Sequence, residues 1–440
     1  MVERTFIKDL SIKIDRTIKV QGWLQTLRDQ KRMQFLILRD ITGLVQIAFQ
    51  KQKDLELAKF ISSLTPETAL TIVGKVTKNP VVKLRQIEIQ LKNIKVENIA
   101  NSPLPLNPFS DKLPQINNRL NWRYLDLRRK QNLLLFKVQT TVLAAMRDYW
   151  IKDGFIEIFT PKIMGSPSES GAELFTLEYF DRKAYLAQSP QFYKQMAMAA
   201  GFEKVFEIGP VFRADPSFTT RHMTEFTGVD MEMSWIESEE DIMVSQEKWL
   251  SCVYKKVKEL HGEEIKKVFD YEIGIPDVPF PRVTMAEALK ICKELGCKTP
   301  DDSNAGINPA GERTIWKYIK KHYDHDFVFI TEWPVATRPF YHMGSETNPV
   351  VTKSFDLIAC GLELATGAQR EHRLDILTKQ ATEKGLNLKS IEFYLDFFKY
   401  GCPPHGGFGL GISRLMMVLL GINNIRETVY VFRGPKRLSP

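Results

Sequence analysis

Long apolar runs and paired cysteines are both missing from this 440-residue chain. No stretch approaches the roughly 18 uninterrupted apolar residues of a membrane-spanning helix, so a membrane protein is not expected. The five cysteines, Cys252, Cys292, Cys297, Cys360 and Cys402, form no Cys-x-x-Cys pair and leave one over. That spacing excludes a zinc knuckle and a disulfide scaffold, and it predicts reduced thiols in a cytoplasmic protein. The N-terminal MVERTFIKDL has neither the apolar core of a signal peptide nor the acid-poor character of a transit peptide. Net charge is absent from most of the chain as well. Residues 101–440 hold 43 Lys/Arg against 43 Asp/Glu, whereas residues 1–100 hold 18 against 10. The whole formal excess of +8 therefore sits in the first quarter, the expected footprint of a domain that meets phosphates. Length predicts two or three domains.

That first quarter reads as all-β. Thr17–Leu24, Met33–Asp40 and Leu44–Phe49 alternate as strands, a helical stretch follows near Lys53–Leu64, and Ala69–Val76 and Arg85–Val96 are two more strands. Five strands with a helix after the third is the order of an OB-fold barrel, placed at 1–100. Phe35 and Gln46 fall on adjacent strands, as a ring to stack on a base beside an amide to read its edge. An inward-facing Phe35 in the barrel core fits the same pattern.

Three prolines in Pro103–Pro108 mark an extended linker over 101–130, and the basic and aromatic run Asn118–Arg129 suits either nucleic acid or packing. Residues 131–440 form the larger domain. From Asn132 to Gly154 the apolar spacing is helical, with Leu134, Val138, Val142, Met146 and Trp150 on one face. That helix and the short strand Phe155–Ile163, stopped by Pro161, are a candidate self-pairing element of a dimer. Residues 262–350 are too mixed to assign beyond an insertion that packs or touches nucleic acid.

Three stretches carry chemistry. Val205–Phe212 and Phe226–Met233 form a hairpin whose loop holds Arg221 and His222, with Arg213 on the entering strand; the set suits a polyphosphate with a flat base attached. Asp356 and Glu363 are hard oxygen ligands of the kind magnesium shares with phosphates, and Arg370 suits a bidentate grip on a carboxylate. A lone glycine cluster usually means only a tight turn, but the glycines of Pro403–Arg414 precede a helix whose first turn carries Arg414, an arrangement that brings backbone close to phosphate.

These residues resemble the class II aminoacyl-tRNA synthetases over essentially the whole length, and within them the aspartate-specific branch of archaeal and eukaryotic type. Phe155–Pro161 resembles motif 1; Phe212-Arg213-Ala214-Asp215 with Arg221–Phe226 resembles motif 2; Gly409–Arg414 resembles motif 3. The fold implied is α+β: the OB barrel followed by an antiparallel sheet flanked by helices. The activity implied is ATP-dependent aspartyl-adenylate formation, then transfer to the 3′ end of tRNA(Asp), with tRNA(Asn) left open. The resemblance places the ATP α-phosphate on Arg213 and the outer phosphates on Arg221, His222 and Arg414. Ala214, Asp215, Met223, Gly411, Ile412 and Ser413 complete the nucleotide site, with adenine between Phe226 and Arg414. Magnesium is implied at Glu363, helped by Thr366 and Asp356. Arg213 and Arg414 are the implied catalytic residues.

For L-aspartate the resemblance implies Gln191, Phe192, Tyr193, Lys194, Asp230, Thr366 and Arg370, together with Arg213, and Glu169 on a loop, Ser168–Ala172, that closes over the substrate. Lys194 and Arg370 are expected to neutralise its side chain, so that an amide would leave two buried cations without a counter-charge. Arg28, Phe35 and Gln46 are the implied anticodon contacts, and a homodimer is implied. An asparagine-specific enzyme and a non-catalytic RNA-binding relative are the alternatives; Pro190 and Arg338 speak against the first. Two departures stand out. Asp215 replaces the usual glutamate, and Val431-Phe432-Arg433-Gly434 replaces the usual Phe-Pro-Arg-Asp, which puts support of the site's floor in question.

Overall fold

The computed structural model describes residues 3–110, 112–167, 173–217, 219–300 and 305–440. Its contacts divide the chain into Met1–Asn107 and Pro108–Pro440.

The first unit is a closed barrel of β1 (Thr17–Asp29), β2 (Met33–Asp40), β3 (Gly43–Gln50), β4 (Ala69–Lys78) and β5 (Ile87–Asn98), in the order β1-β2-β3-β5-β4. Alternation along β2 and β4 sends Leu36, Leu38, Leu70 and Ile72 inward, where they are almost wholly buried. A bulge between Leu24 and Thr26 lets β1 pair with β4 along one half and β2 along the other. Helix α1 (Leu55–Ser62) follows β3, its N-terminus capped by Asp54 accepting from Leu57 N–H.

In the second unit, α2 (Ile116–Asn121) and α3 (Arg123–Asp126) occupy the stretch expected to be linker. Arg119 and Arg123 are buried on Asp126, and Arg123 also donates to the carbonyls of Glu427, Val429 and Tyr430. Two guanidiniums of the basic run, those of Arg119 and Arg123, are therefore spent on packing inside the chain. Next come α4 (Lys130–Lys152), β6 (Ile156–Glu157), β7 (Ile163–Met164), β8 (Thr176–Tyr179), β9 (Arg182–Leu186), α5 (Gln191–Ala199), β10 (Lys204–Phe212) and β11 (Glu225–Ser234). They are followed by α6 (Glu239–Phe269), β12 (Arg282–Thr284), α7 (Met285–Glu294), α8 (Pro309–Tyr323), β13 (Phe327–Thr331), β14 (Ser354–Ala359) and β15 (Leu362–Gln369). The chain ends through α9 (Leu374–Glu383), α10 (Glu392–Phe398), β16 (His405–Gly411) and α11 (Ile412–Leu420).

Eight strands form one sheet in the order β12-β13-β14-β15-β16-β11-β10-β6. The central pairs are antiparallel, but β12–β13 and β10–β6 are parallel, so the sheet is mixed at its edges. Strands β12 and β13 come from the supposed insertion, which thus builds one side of the sheet. The predicted α4 face is buried as expected, but its partner is α6 of the same chain, with Trp150 stacked on Trp249 at 4.4 Å. Leu134–Trp150 therefore lends no support to a dimer. No helix among the described residues is long and apolar enough to cross a membrane.

Candidate active site and barrel surface

Residues directly opposite on paired strands share a face of the sheet. The register aligns Asp356 with Thr366, Thr366 with Gly409, Gly409 with Asp230, and Asp230 with Glu207, one row across five strands. Glu363, three residues before Thr366, would ordinarily point to the other face. Opposite Leu357 and Ile358 stand Ala365 and Glu363, so Leu364 is an extra residue. That bulge turns Glu363 onto the face of Thr366, whose hydroxyl lies 3.4 Å from its carboxylate. Above this row opens a cavity of about 460 Å³, lined by residues of the row, of the β10–β11 hairpin and of the start of α11.

The hairpin pairs as the alternation predicts, and Arg213 N–H continues it by donating to Thr224 O. The Arg213 guanidinium lies 5.6 Å from the centre of the Phe226 ring. Arg414 donates to Glu363 O at 2.8 Å and stands 3.6 Å from its carboxylate. His222 meets Thr219 Oγ1 at 2.6 Å and lies 3.8 Å from Asp215. Burial and the Arg414 charge hold the imidazole below its ordinary range despite Asp215. Burial works against the Asp215 carboxylate, but bonds from Ser217 and the nearby His222 hold its pKa low.

Asp356 in the row and Glu363, which the bulge brings beside Thr366, differ. Burial, with Glu363 as neighbour, pushes Asp356 up to about 6 although Arg338 donates to it at 2.8 Å. Burial also opposes charge on Glu363, but Arg414, Arg338 and Arg213 outweigh it and hold this carboxyl below the usual range. With the Asp356 carboxylate buried on Arg338 and outside the cleft lining, Glu363 and Thr366 are the all-oxygen donor set that faces the cleft. It fits a hard cation shared with phosphate rather than a cation caged by protein. Among the described residues no group of three or more His, Cys, Asp or Glu is arranged to hold a metal.

Beneath the row lies a buried charge cluster. Lys194 contacts Asp230 at 3.0 Å and Glu232 at 3.3 Å, and Arg370 Nε donates to Glu232 at 2.9 Å. Two cations and two carboxylates cancel formally. The expectation that Lys194 and Arg370 lack a counter-charge is thus corrected: Glu232, two residues beyond Asp230 and on the same face, supplies it. Burial alone would raise the Glu232 carboxyl, but Arg370 and Lys194 hold it low. The glycine run is not a turn; Gly406–Gly411 lie within β16, paired on both sides. A Cβ on Gly407 would meet Met231 O at 2.1 Å and Glu232 Oε2 at 2.3 Å, so only glycine leaves room for that carboxylate.

Several expected contacts move. Phe192 is fully buried, stacked on Tyr394 at 4.3 Å, and Tyr193 packs against the same apolar cluster. Both leave the substrate site because on α5 only Gln191, with Lys194 and Gln195 one turn on, faces the sheet. Ile412 is core, so only its backbone can serve a nucleotide. Ala214 N–H is taken by Glu173 O. Gln191, Met223, Asp230, Thr366, Arg370, Gly411 and Ser413 line the cavity as expected. Glu169 and the rest of Ser168–Ala172 lie outside the described residues. Gln188, Ser189, Arg338 and His342 line the cavity and were not singled out as contacts; Arg338 was visible in sequence only as part of the aspartate-branch likeness. At the C-terminus a Cβ on Gly434 would come within 2.7 Å of the Phe432 ring. The two departures there are thus complementary: the ring fills the space of the missing side chain.

On the barrel, Phe35 is half-buried on the outer face, which overturns the inward alternative. Arg28 stands opposite it, 5.7 Å from the ring centre. Arg28 donates to Gln46 Oε1 at 3.0 Å, and Gln46 Nε2 donates to Glu88 at 3.1 Å. Glu88, on β5 beside Gln46, completes a polar edge next to the ring that the sequence reading missed.

Residues 115–433 match the family model described as tRNA synthetases class II (D, K and N), and residues 18–97 match that of the OB-fold nucleic acid binding domain. An aspartate–tRNA(Asp) ligase of Pyrococcus abyssi is 43% identical over 97% of this chain and 96% of its own length. An aspartate–tRNA(Asp/Asn) ligase of Methanopyrus kandleri is 42% identical over 100% of both. Among solved structures, asparaginyl-tRNA synthetase from Pyrococcus horikoshii with asparaginyl-adenylate superposes with a TM-score of 0.90 at 29% identity, covering 100% of both chains.

Proposed function

The chain belongs to the class II tRNA synthetases that serve aspartate, lysine and asparagine, and from that premise we propose that it is the aspartate enzyme. The observation that carries this is the 43% identity along nearly the whole chain with an aspartate–tRNA ligase. It activates L-aspartate with ATP and transfers it to tRNA(Asp). The asparagine-specific likeness is one of fold at 29% identity, and fold does not choose between two such substrates.

In this reading Arg213 grips the α-phosphate, and Arg221, His222 and Arg414 take the outer phosphates, with adenine over Phe226. The aspartate α-carboxylate attacks the α-phosphorus in line, and pyrophosphate leaves with the bonding electrons. The nucleophile is already an anion, so no protein base is required; positioning and charge neutralisation supply the rate. Glu363, with Thr366, would hold magnesium, which when bound neutralises phosphate charge. Asp230 and Gln191 face the substrate ammonium. Arg370 carries only donors, so it suits the two acceptor oxygens of the aspartate side chain and opposes the donor nitrogen of an amide. Glu232 fixes the guanidinium in that pose. The selection is geometric, since the cluster is already neutral.

The barrel stacks an anticodon base on Phe35 and reads its edge with Gln46, held by Arg28 and Glu88. We infer a homodimer from Ile156 and Phe159 beside the motif 1 proline, which are 48% and 79% exposed, and a cytoplasmic location from five free cysteines. Pyrophosphate exchange with aspartate and with asparagine tests the amino acid, and charging of purified tRNA(Asp) and tRNA(Asn) tests the tRNA. Arg213→Ala should abolish exchange while tRNA binding persists; exchange surviving in that variant refutes the site assignment.

A further inference from the structure

Helix α8 lies in the stretch whose sequence suggested no role beyond packing or nucleic-acid contact, yet it touches the phosphate end of the cleft twice. Glu312, in its first turn, accepts from Arg221 Nη2 at 3.0 Å, and both side chains are largely buried. The same Nη2 donates to Gly361 O at 2.7 Å. Cys360 and Gly361 form the two-residue turn between β14 and β15, both with positive φ, as a tight hairpin of this kind requires. The neighbouring Arg313 packs directly on that turn, where a Cβ on Gly361 would meet its Cγ at 2.9 Å. One helix thus fixes the turn that offers a carbonyl and also supplies the carboxylate beside it. Between them the two acceptors hold one end of the Arg221 guanidinium, and Arg221 itself lines the cavity.

Building on the reading above, we propose that Glu312 is a positioning residue for the nucleotide. It clamps Nη2 of Arg221 so that Nε and Nη1 meet the outer phosphates of ATP. A long, flexible arginine otherwise spends binding energy on being ordered, and anchoring it beforehand spares that loss. Glu312 never touches substrate and acts only through Arg221.

The test is steady-state ATP–pyrophosphate exchange with aspartate. Glu312→Ala should raise KM for ATP about tenfold, the loss of one charge-assisted bond, with KM for aspartate unchanged. Glu312→Gln, whose amide oxygen accepts the same bond, should recover KM to within about threefold of the original. In an Arg221→Ala background, Glu312→Ala should add nothing. An unchanged or lowered KM for ATP in Glu312→Ala, an equal rise in KM for aspartate, or full additivity with Arg221→Ala overturns the proposal. Should Glu312→Ala fail to fold, Glu312→Gln carries the test: a small rise in KM for ATP that vanishes in the Arg221→Ala background supports the clamp, and any other result overturns it. Absence of aspartate-dependent exchange in the unaltered protein would sink the functional reading itself, a different outcome.

Discussion

Replacing Glu232 by glutamine keeps its shape and removes its charge from a site where it is 0% exposed. Its carboxylate lies 2.9 Å from Arg370 and 3.3 Å from Lys194, so two buried cations lean on it. Breaking a buried pair by removing one partner costs about 3–5 kcal/mol. For a unit of roughly 330 residues the unfolding entropy near 60 °C is about 0.7 kcal/mol/K, so the midpoint of its transition should fall by about 4–7 °C. The effect has a pH signature. Because the folded carboxyl is held below the ordinary glutamate value of about 4.3, its stabilisation is complete above that value. It is lost as pH falls through the lowered one. The deficit of Glu232→Gln should thus stay constant from pH 7 to 5 and narrow below about 4. Differential scanning calorimetry across that range reads both quantities, and KM for aspartate should rise at least tenfold as Arg370 loses its fixed pose. A midpoint within 1 °C of the unaltered protein at pH 7 would falsify the account of Glu232 as the hub of the cluster.

Other expectations follow from single contacts. Gly434→Asp should destabilise by about 1–3 kcal/mol, because its Cβ meets the buried Phe432 ring. Adding Phe432→Pro, which restores the usual family pair, should recover at least half of the loss; a double variant no better than the single one removes the idea of compensation. Phe35→Ala should raise KM for tRNA about 10- to 100-fold, the worth of one stacked base, and leave pyrophosphate exchange intact; a loss of exchange would contradict the division of labour. Burial pushes His405 down to about 4, against about 6.5 when unfolded. Its contribution is full above pH 6.5 and lost as pH falls through 4, about 3 kcal/mol in all. His405→Gln should flatten the acid limb of the stability profile, and an unaltered limb would show that this imidazole does not titrate there.

What could be read from sequence was whatever depends on local period. The barrel strands, the face of α4 and the Arg213–Met233 hairpin all follow from spacing along one segment, and all three form. What failed needed a partner from far along the chain. Trp150 finds Trp249 a hundred residues later, so a face that suggested a second copy closes within the first. The run Gly406–Gly411 has the composition of a turn, and only the Glu232 carboxylate and the Met231 carbonyl, brought from β11, show why a strand there must be bare. Phe192 and Tyr193 sit beside Gln191, which lines the cleft, and Lys194, which joins the buried charge cluster, but the turn of the helix points them elsewhere. Glu312 had no local signal, since its meaning lies wholly in Arg221, ninety residues earlier.

The row Asp356–Thr366–Gly409–Asp230–Glu207 has a consequence for how such a site withstands change. Neighbouring strands sit about 4.8 Å apart, a distance fixed by backbone hydrogen bonds. Three such intervals set roughly 14 Å between Asp356 and Asp230. The sheet is therefore a ruler, ticked by its ladder, that sets the span across which, in the proposed function, an adenylate would lie. Side-chain substitutions and loop insertions can alter what stands at each mark without moving the marks. Only a slip of register would shift them, and a slip of one residue would turn that strand's contribution to the opposite face.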